Sequence, residues 1–344
     1  MRTLQFLPPA ITILFVAGCA PEAAPPVTTV PPDPTAVARE ESSGHTKPVP
    51  FTASTNVAPV DRPKLTLAEA RNGFVSKLIP GEPPQGEVAT PPSALFKLVA
   101  YEAPMGKLAA YLSPDPGDGK KHPAIIWLLG GSSNSIGDVW SKSDRENDQS
   151  ASAYREAGLV MMYPALRGGN AGSGTKEAFL GEVDDVLAAA DFLSKQSYVD
   201  PDRVYLGGHS TGGTLAILVA AASPRFRAVF SFGPIDNVER YGPAYLPFDR
   251  AIRKELELRS PIHWLHTIEC PVFVFEGAKG NADALKEMSA TSKNANLRFF
   301  LVRKANHFNL LAPLNERIAR KILEDTGPKT NLTFKSEDFD GIAN

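Results

Sequence analysis

Short, uninterrupted apolar runs alternate with helical patterns over most of this 344-residue chain. A strand that is apolar at successive positions is buried on both of its faces. The five clearest runs cover 123–129, 158–163, 227–232, 271–275 and 297–302. Between them, apolar residues recur at helical spacing, for example over 179–193. Strands that alternate with helices in this way predict an α/β fold with a mainly parallel sheet and helices on both faces.

Composition and proline distribution set the predicted domain borders. The chain has 36 Lys and Arg against 38 Asp and Glu, so no basic excess points to a nucleic-acid partner. Residues 19–94 are rich in proline and poor in large apolar side chains, which predicts an extended linker. We expect a single catalytic domain over 95–326 and a C-terminal tail over 327–344. The stretch 234–265 has no strand pattern and is expected to form a small cap.

The N-terminus has the layout of a secretory signal peptide over residues 1–18. Arg2 precedes an apolar stretch that is too short to cross a bilayer and ends at Cys19. The residues Val16-Ala17-Gly18-Cys19 resemble the lipobox of bacterial lipoproteins, which implies cleavage before Cys19 and its acylation. Ala20, rather than Asp, then favours an outer-membrane lipoprotein facing the periplasm. An ordinary signal peptide with an incidental cysteine is the alternative.

A candidate nucleophile lies between a predicted strand and a predicted helix. The motif Gly208-His209-Ser210-Thr211-Gly212 fits G-x-S-x-G, in which the glycines relieve crowding in a sharp turn. That turn exposes the hydroxyl of Ser210 above the sheet. The N–H of Thr211, at the helix N-terminus, is expected to point at a developing oxyanion.

A nucleophilic serine needs a base and an acid, in the chain order serine, acid, histidine for this type of turn. His307 is the one histidine after the last predicted strand, and we predict that it is the base. For the acid, Asp283 is the first choice, in the loop after the strand PVFVF. Glu276, at the end of that strand, is the alternative, and Asp236 is a third option.

Two glycine-rich segments are candidates for further roles. The N–H of Gly131, after the strand at 123–129, is expected to be the second oxyanion donor, because glycine lets the backbone approach a substrate. The segment 169–176 resembles a phosphate loop with its last two residues transposed. A phosphate loop needs Lys directly after the second Gly, so we predict a flexible loop near the site instead. No pattern demands a cofactor or a metal.

Together these motifs resemble the α/β-hydrolase superfamily, and within it the catalytic domain of the prolyl oligopeptidase (S9) family and its dienelactone-hydrolase-like relatives. The resemblance rests on Leu129-Gly130-Gly131, Arg167-Gly168-Gly169, the stretch 200–212 and the loop around His307. It implies that Ser210 and His307 are nucleophile and base, and that Thr211 and Gly131 supply the oxyanion N–H groups.

The chain departs from that family in three ways. Leu129 stands where many relatives have histidine, and Asp283 lies six residues past Gly277, where the family's acid usually lies about three past. The stretch of about 75 residues from Cys19 to Leu95 is too short for the family's β-propeller.

The expected function is hydrolysis of carboxylic ester or peptide bonds in small molecules. The alternatives are an S9-type peptidase acting on small peptides and a non-catalytic binding lipoprotein of the cell envelope. The expected partners are the substrate and, through the lipid, a membrane.

Overall fold

A computed structural model describes residues 65–79 and 86–342. The predicted signal peptide, the lipidation site at Cys19 and most of the predicted linker lie outside these residues. No helix among the residues described is both long enough and apolar enough to cross a membrane.

The molecule is organised around one eight-stranded sheet with the order β1-β2-β4-β3-β5-β6-β7-β8. Only the pairings of β2, with β1 and with β4, are antiparallel, and the other five pairings are parallel. The predicted, mainly parallel sheet is therefore confirmed. The strands are β1 (Lys97–Ala103), β2 (Gly106–Leu112), β3 (His122–Leu128), β4 (Val160–Pro164), β5 (Val199–His209), β6 (Val229–Phe232), β7 (Val272–Gly277) and β8 (Leu297–Val302).

Seven α-helices occur in the part of the chain that the structure describes. They are α1 (Leu67–Arg71), α2 (Ala153–Glu156), α3 (Glu182–Ser194), α4 (Thr211–Ala222), α5 (Arg253–Arg259), α6 (Ala282–Thr291) and α7 (Leu311–Glu324). Residues 211–221 of α4 are all buried, so this helix is apolar nearly all round because it packs at the centre of the domain.

Successive residues of the central strands enter two different hydrophobic cores. Ile126 packs in one core with α3 and α4, while Ile125 and Trp127 pack in the other core with α7. Side chains of a strand alternate between faces, so the two cores lie on opposite sides of the sheet. This is the reason why β3 is apolar at successive positions.

The stretch 234–265 contains no strand of the sheet, as predicted, and folds into α5 and three short 3-10 turns. The segment 65–79 holds it in place. The hydroxyl of Ser76 and the backbone N–H of Lys77 donate to the buried carboxylate of Glu255, and Leu78 forms a β-bridge with Phe248.

Two regions expected to be peripheral also pack on this domain. In the predicted tail, Leu332 and Ile342 are buried, and Phe334 contacts Phe273 and Phe275 of β7. In α1, within the predicted linker, Leu67 is buried in the core. The folded part of the chain therefore extends beyond the predicted borders at 95 and 326.

Candidate active site

Ser210 occupies the sharp turn between β5 and α4. Its backbone has φ 56° and ψ −114°, a conformation that side-chain-bearing residues rarely adopt. A Cβ at Gly208 would lie 2.5 Å from the carbonyl oxygen of Gly212, so the motif needs glycine where the strand meets the helix. The N–H of Ser210 donates to the carbonyl of Phe232 at 2.7 Å, which ties the turn to β6. Strain of this kind is typical of functional turns.

His307 lies in the loop between β8 and α7, with its Nδ1 2.9 Å from Oε2 of Glu276. Glu276, near the end of β7, is fully buried. Its Oε1 accepts the N–H of Gly277 at 2.6 Å, and its Oε2 also accepts the N–H of Asn281 at 2.8 Å. Because a carboxylate only accepts, Nδ1 carries the proton and Nε2 is the nitrogen able to take one up.

The structure does not bring Asp283, the first choice of acid, to His307. Its side chain is 86% exposed and pairs with Lys286 at 3.2 Å, in the first turn of α6. Asp236, the third option, forms an ion pair with Arg240. The carboxylate that the structure brings to His307 is the alternative, Glu276, because α6 begins at Ala282 and turns Asp283 towards solvent.

Two glycines that the sequence analysis missed make room for this pair. A Cβ at Gly233, which follows β6 with φ +60°, would lie 2.3 Å from Cε1 of His307 and 3.1 Å from Oε2 of Glu276. A Cβ at Gly280 would lie 2.5 Å from Oε1 of Glu276. Substitution at either glycine would therefore displace the histidine or its carboxylate.

His209, inside the turn motif, supports the histidine loop. Its Nε2 donates to the backbone carbonyl of His307 at 3.0 Å, and the two rings are 4.6 Å apart. Burial, with a smaller effect from the neighbouring His307, lowers the pKa of His209 to about 3. His209 is therefore neutral at ordinary pH and positions the loop through one hydrogen bond.

Gly131 and Thr211, the two expected oxyanion donors, lie together beside Ser210. The hydroxyl of Thr211 donates to the carbonyl of Gly131 at 2.8 Å. Thr211 is the first residue of α4, where backbone N–H groups have no partner within the helix. Gly130 packs closely on the turn, since a Cβ there would lie 3.2 Å from Cβ of Ser210.

The loop over 169–176 braces the segment that carries Gly131. The ammonium of Lys176 donates to the carbonyl of Ser132 at 2.6 Å and lies 3.7 Å from the centre of the Tyr245 ring. The side-chain oxygen of Asn170 accepts the N–H of Ile136 at 2.8 Å. These contacts fix the conformation of the glycine segment.

The residues described contain no group of three or more His, Cys, Asp or Glu side chains placed to hold a metal ion. The one cysteine among them, Cys270, is buried, and burial raises the pKa of its thiol to about 12.

Comparison with solved structures shows that this architecture is the α/β-hydrolase fold. The chain superposes on an acylaminoacyl peptidase of Pyrococcus horikoshii with a TM-score of 0.56, at 16% identity, over 71% of this chain and 44% of that one. It superposes on an esterase of Pyrococcus furiosus with a TM-score of 0.52, at 17% identity, over 71% of this chain and 95% of that one. At these identities the likeness concerns the fold.

Within that class, residues 146–279 match the sequence model of the prolyl oligopeptidase family. The chain is also 28% identical over 188 residues to dipeptidyl-peptidase 5 of Porphyromonas gingivalis, covering 48% of this chain and 27% of that protein. It thus spans about a quarter of that relative's length. Both this family and this relative are named for peptidases.

Proposed function

We propose that this chain is a serine hydrolase that cleaves carboxylic ester or amide bonds, with Ser210 as nucleophile, His307 as base and Glu276 as acid. The observation that carries the proposal is the 2.9 Å contact between Nδ1 of His307 and the buried carboxylate of Glu276. A carboxylate in that position fixes the tautomer of the imidazole and stabilises the imidazolium that forms during catalysis.

The reaction follows from these roles. Nε2 of His307 takes the proton of Ser210 as Oγ attacks the carbonyl carbon, which gives a tetrahedral intermediate. The backbone N–H groups of Thr211 and Gly131 stabilise its oxyanion, and each such donor is typically worth about 10²–10³ in rate. The imidazolium then protonates the leaving alcohol or amine. Water, deprotonated by Nε2, releases the acid from the acyl-enzyme.

The test is active-site labelling of the full chain with a fluorophosphonate probe, followed by location of the adduct by peptide mass. We expect labelling at Ser210, none in Ser210→Ala, and loss of ester turnover in both Ser210→Ala and His307→Ala. A matched control is His122→Ala, because His122 also contacts a carboxylate, Asp118 at 3.0 Å, but lies at the opposite end of β3. It should keep wild-type activity.

Either of two results would contradict the proposal. Near-normal turnover in Ser210→Ala or His307→Ala would remove the catalytic roles. An unlabelled and inactive wild type that is folded would favour a non-catalytic binding protein. If Ser210 is labelled as expected, a panel of short-chain esters and Xaa-Pro amides distinguishes an esterase from a peptidase of the kind that the dipeptidyl peptidase relative represents.

We propose further that Cys19 is acylated and anchors the chain to the outer membrane, facing the periplasm. The support is the sequence Val16-Ala17-Gly18-Cys19 with Ala20 after it. The proposal predicts incorporation of labelled palmitate by the wild type and none by Cys19→Ser. The Cys270→Ser variant is the control and should incorporate label normally.

A further inference from the structure

A small cavity adjoins the proposed oxyanion hole. It lies between the ends of β3 and β4 and the start of α4, and Gly131 and Thr211 both line it. Its volume is about 30 Å³, where one water-sized group needs roughly 10–15 Å³. The substituent of a carbonyl group held between those two residues would face this cavity, and about two of its non-hydrogen atoms would fit. Its walls combine apolar side chains and polar ones. The apolar side chains include Leu128, Leu166, Phe179 and Leu215, and the polar ones include Ser133, Asn134, Ser135 and Tyr245.

One carboxylate belongs to this lining. Glu182, at the start of α3, is 2% exposed and lines the cavity. Its Oε1 accepts the N–H of Glu177 at 2.7 Å and the side-chain amide of Asn134 at 3.0 Å. Its Oε2 is buried and accepts no hydrogen bond from any other residue that the structure describes. A buried acceptor without a donor is costly, which makes Oε2 a place where a donor on a ligand would be favourable.

The charges near Glu182 do not supply that donor. The guanidinium of Arg167 donates to both oxygens of Asp185, at 2.9 and 2.8 Å. The ammonium of Lys176 is held by the carbonyl of Ser132. Burial raises the pKa of Glu182, and this effect exceeds the opposing ones of its hydrogen bonds and of Arg167.

We infer that this cavity is the acyl pocket of the proposed hydrolase, and that it selects short acyl groups with a hydrogen-bond donor on the carbon next to the carbonyl. The glycolyl group, whose hydroxyl would donate to Oε2 of Glu182, is the simplest example. This inference rests on the proposed function. A cavity of this volume is only about 4 Å across, so the donor must lie within a bond or two of the carbonyl carbon.

Size and polarity together define the selectivity. A propionyl group has the same number of non-hydrogen atoms as a glycolyl group but leaves Oε2 without a donor. Loss of a hydrogen bond to a charged group corresponds to about 10- to 100-fold in kcat/KM. An octanoyl chain has many more non-hydrogen atoms than a cavity of about 30 Å³ can hold.

The experiment compares 4-methylumbelliferyl glycolate, propionate and octanoate with the full chain, each rate being divided by the alkaline hydrolysis rate of the same ester. We expect kcat/KM for glycolate to exceed that for propionate by at least about tenfold. In Glu182→Gln the ratio should fall to about one, since the amide keeps an oxygen for Asn134 and Glu177 but replaces the unpartnered acceptor by a donor.

The matched control is Asp184→Asn, which makes the same chemical change two residues along α3. Asp184 is half-exposed, pairs with Arg71 at 2.7 Å and is absent from the lining of the cavity. This variant should keep the wild-type ratio.

Other outcomes overturn the inference. A wild-type ratio near one, or a high ratio that survives Glu182→Gln, would remove the role of Glu182. Turnover of octanoate alone would refute the short acyl pocket while leaving the serine hydrolase intact. Absence of both turnover and fluorophosphonate labelling would instead refute the proposed function, and this inference with it.

Discussion

Gly233 offers the sharpest test of whether the histidine and its carboxylate work as a pair. In Gly233→Ala the new Cβ would lie 2.3 Å from Cε1 and 2.6 Å from Nδ1 of His307. Ordinary contacts of such atoms begin at about 3.4 Å, so the imidazole has to move by about 1 Å. A displacement of this size at a catalytic group costs about 10²-fold in rate. That corresponds to about 2.7 kcal/mol of transition-state stabilisation.

Gly242→Ala separates this displacement from backbone strain. Both glycines have positive φ, +60° at Gly233 and +76° at Gly242, and both precede a proline. No atom lies within 4 Å of the position that a Cβ would take at Gly242. We expect each variant to lose about 1–3 kcal/mol of unfolding free energy, because alanine is strained in these conformations.

The assay is kcat/KM for a short-chain ester together with the rate of fluorophosphonate labelling, with stability followed by urea unfolding. Gly233→Ala should lose about 10²-fold in both rates, and Gly242→Ala should lose little. Wild-type rates in a folded Gly233→Ala protein would refute the reasoning, because they would mean that the position of His307 against Glu276 is unimportant. Equal losses in both variants would assign the effect to strain.

Three other predictions follow from the site. In steady-state kinetics, Glu276→Gln should lower kcat by roughly 10³–10⁴-fold, whereas Asp283→Asn should stay within about twofold of the wild type. A large loss of kcat in Asp283→Asn together with a small one in Glu276→Gln would instead identify Asp283 as the acid. Because the folded-state pKa of His209 is about 3 against 6.5 ordinarily, the unfolded chain binds a proton first as the pH falls. The free energy of unfolding contributed by neutral His209 is therefore lost below pH 6.5, and the loss is about 2 kcal/mol at pH 5. In urea unfolding, the free energy of unfolding of His209→Gln should fall less than that of the wild type on acidification to pH 5, by this same amount. Thr211→Val, which cannot donate to Gly131, should lower kcat about fivefold to tenfold at unchanged KM, while Thr211→Ser should keep the wild-type rate.

The sequence was sufficient to predict the sheet because burial leaves a local signature. The strands β3 and β4 correspond to apolar runs of five to seven residues, which can be recognised within one short segment. The turn at Ser210 is predicted by the two glycines of its motif. The residue at which a helix begins was harder to predict from the sequence. Whether Asp283 faces the histidine or solvent depends on where α6 begins, and that is decided by the path of the loop after β7.

Other parts of the site had no local signature at all. Gly233 matters because of how near it comes to His307, 74 positions further along the chain. The same holds for Glu182, whose role depends on a cavity formed by five separate segments. The sequence places Glu182 only within a stretch of helical spacing over 179–193. Contacts between distant segments are determined by how the segments pack. The spacing of residues within one segment does not predict them.

The contacts between segment 65–79 and the stretch 234–265 determine at which residue a shortened form of this protein can begin. A fragment that starts at Leu95, as the sequence borders suggest, would lack Ser76 and Lys77. The carboxylate of Glu255 would then keep its ion pair with Arg259 but lose its other donors. The fragment would also lack Leu67, so the part of the core on which Leu67 packs would be exposed to solvent. A shortened form that retains the native fold should therefore begin ahead of Leu65.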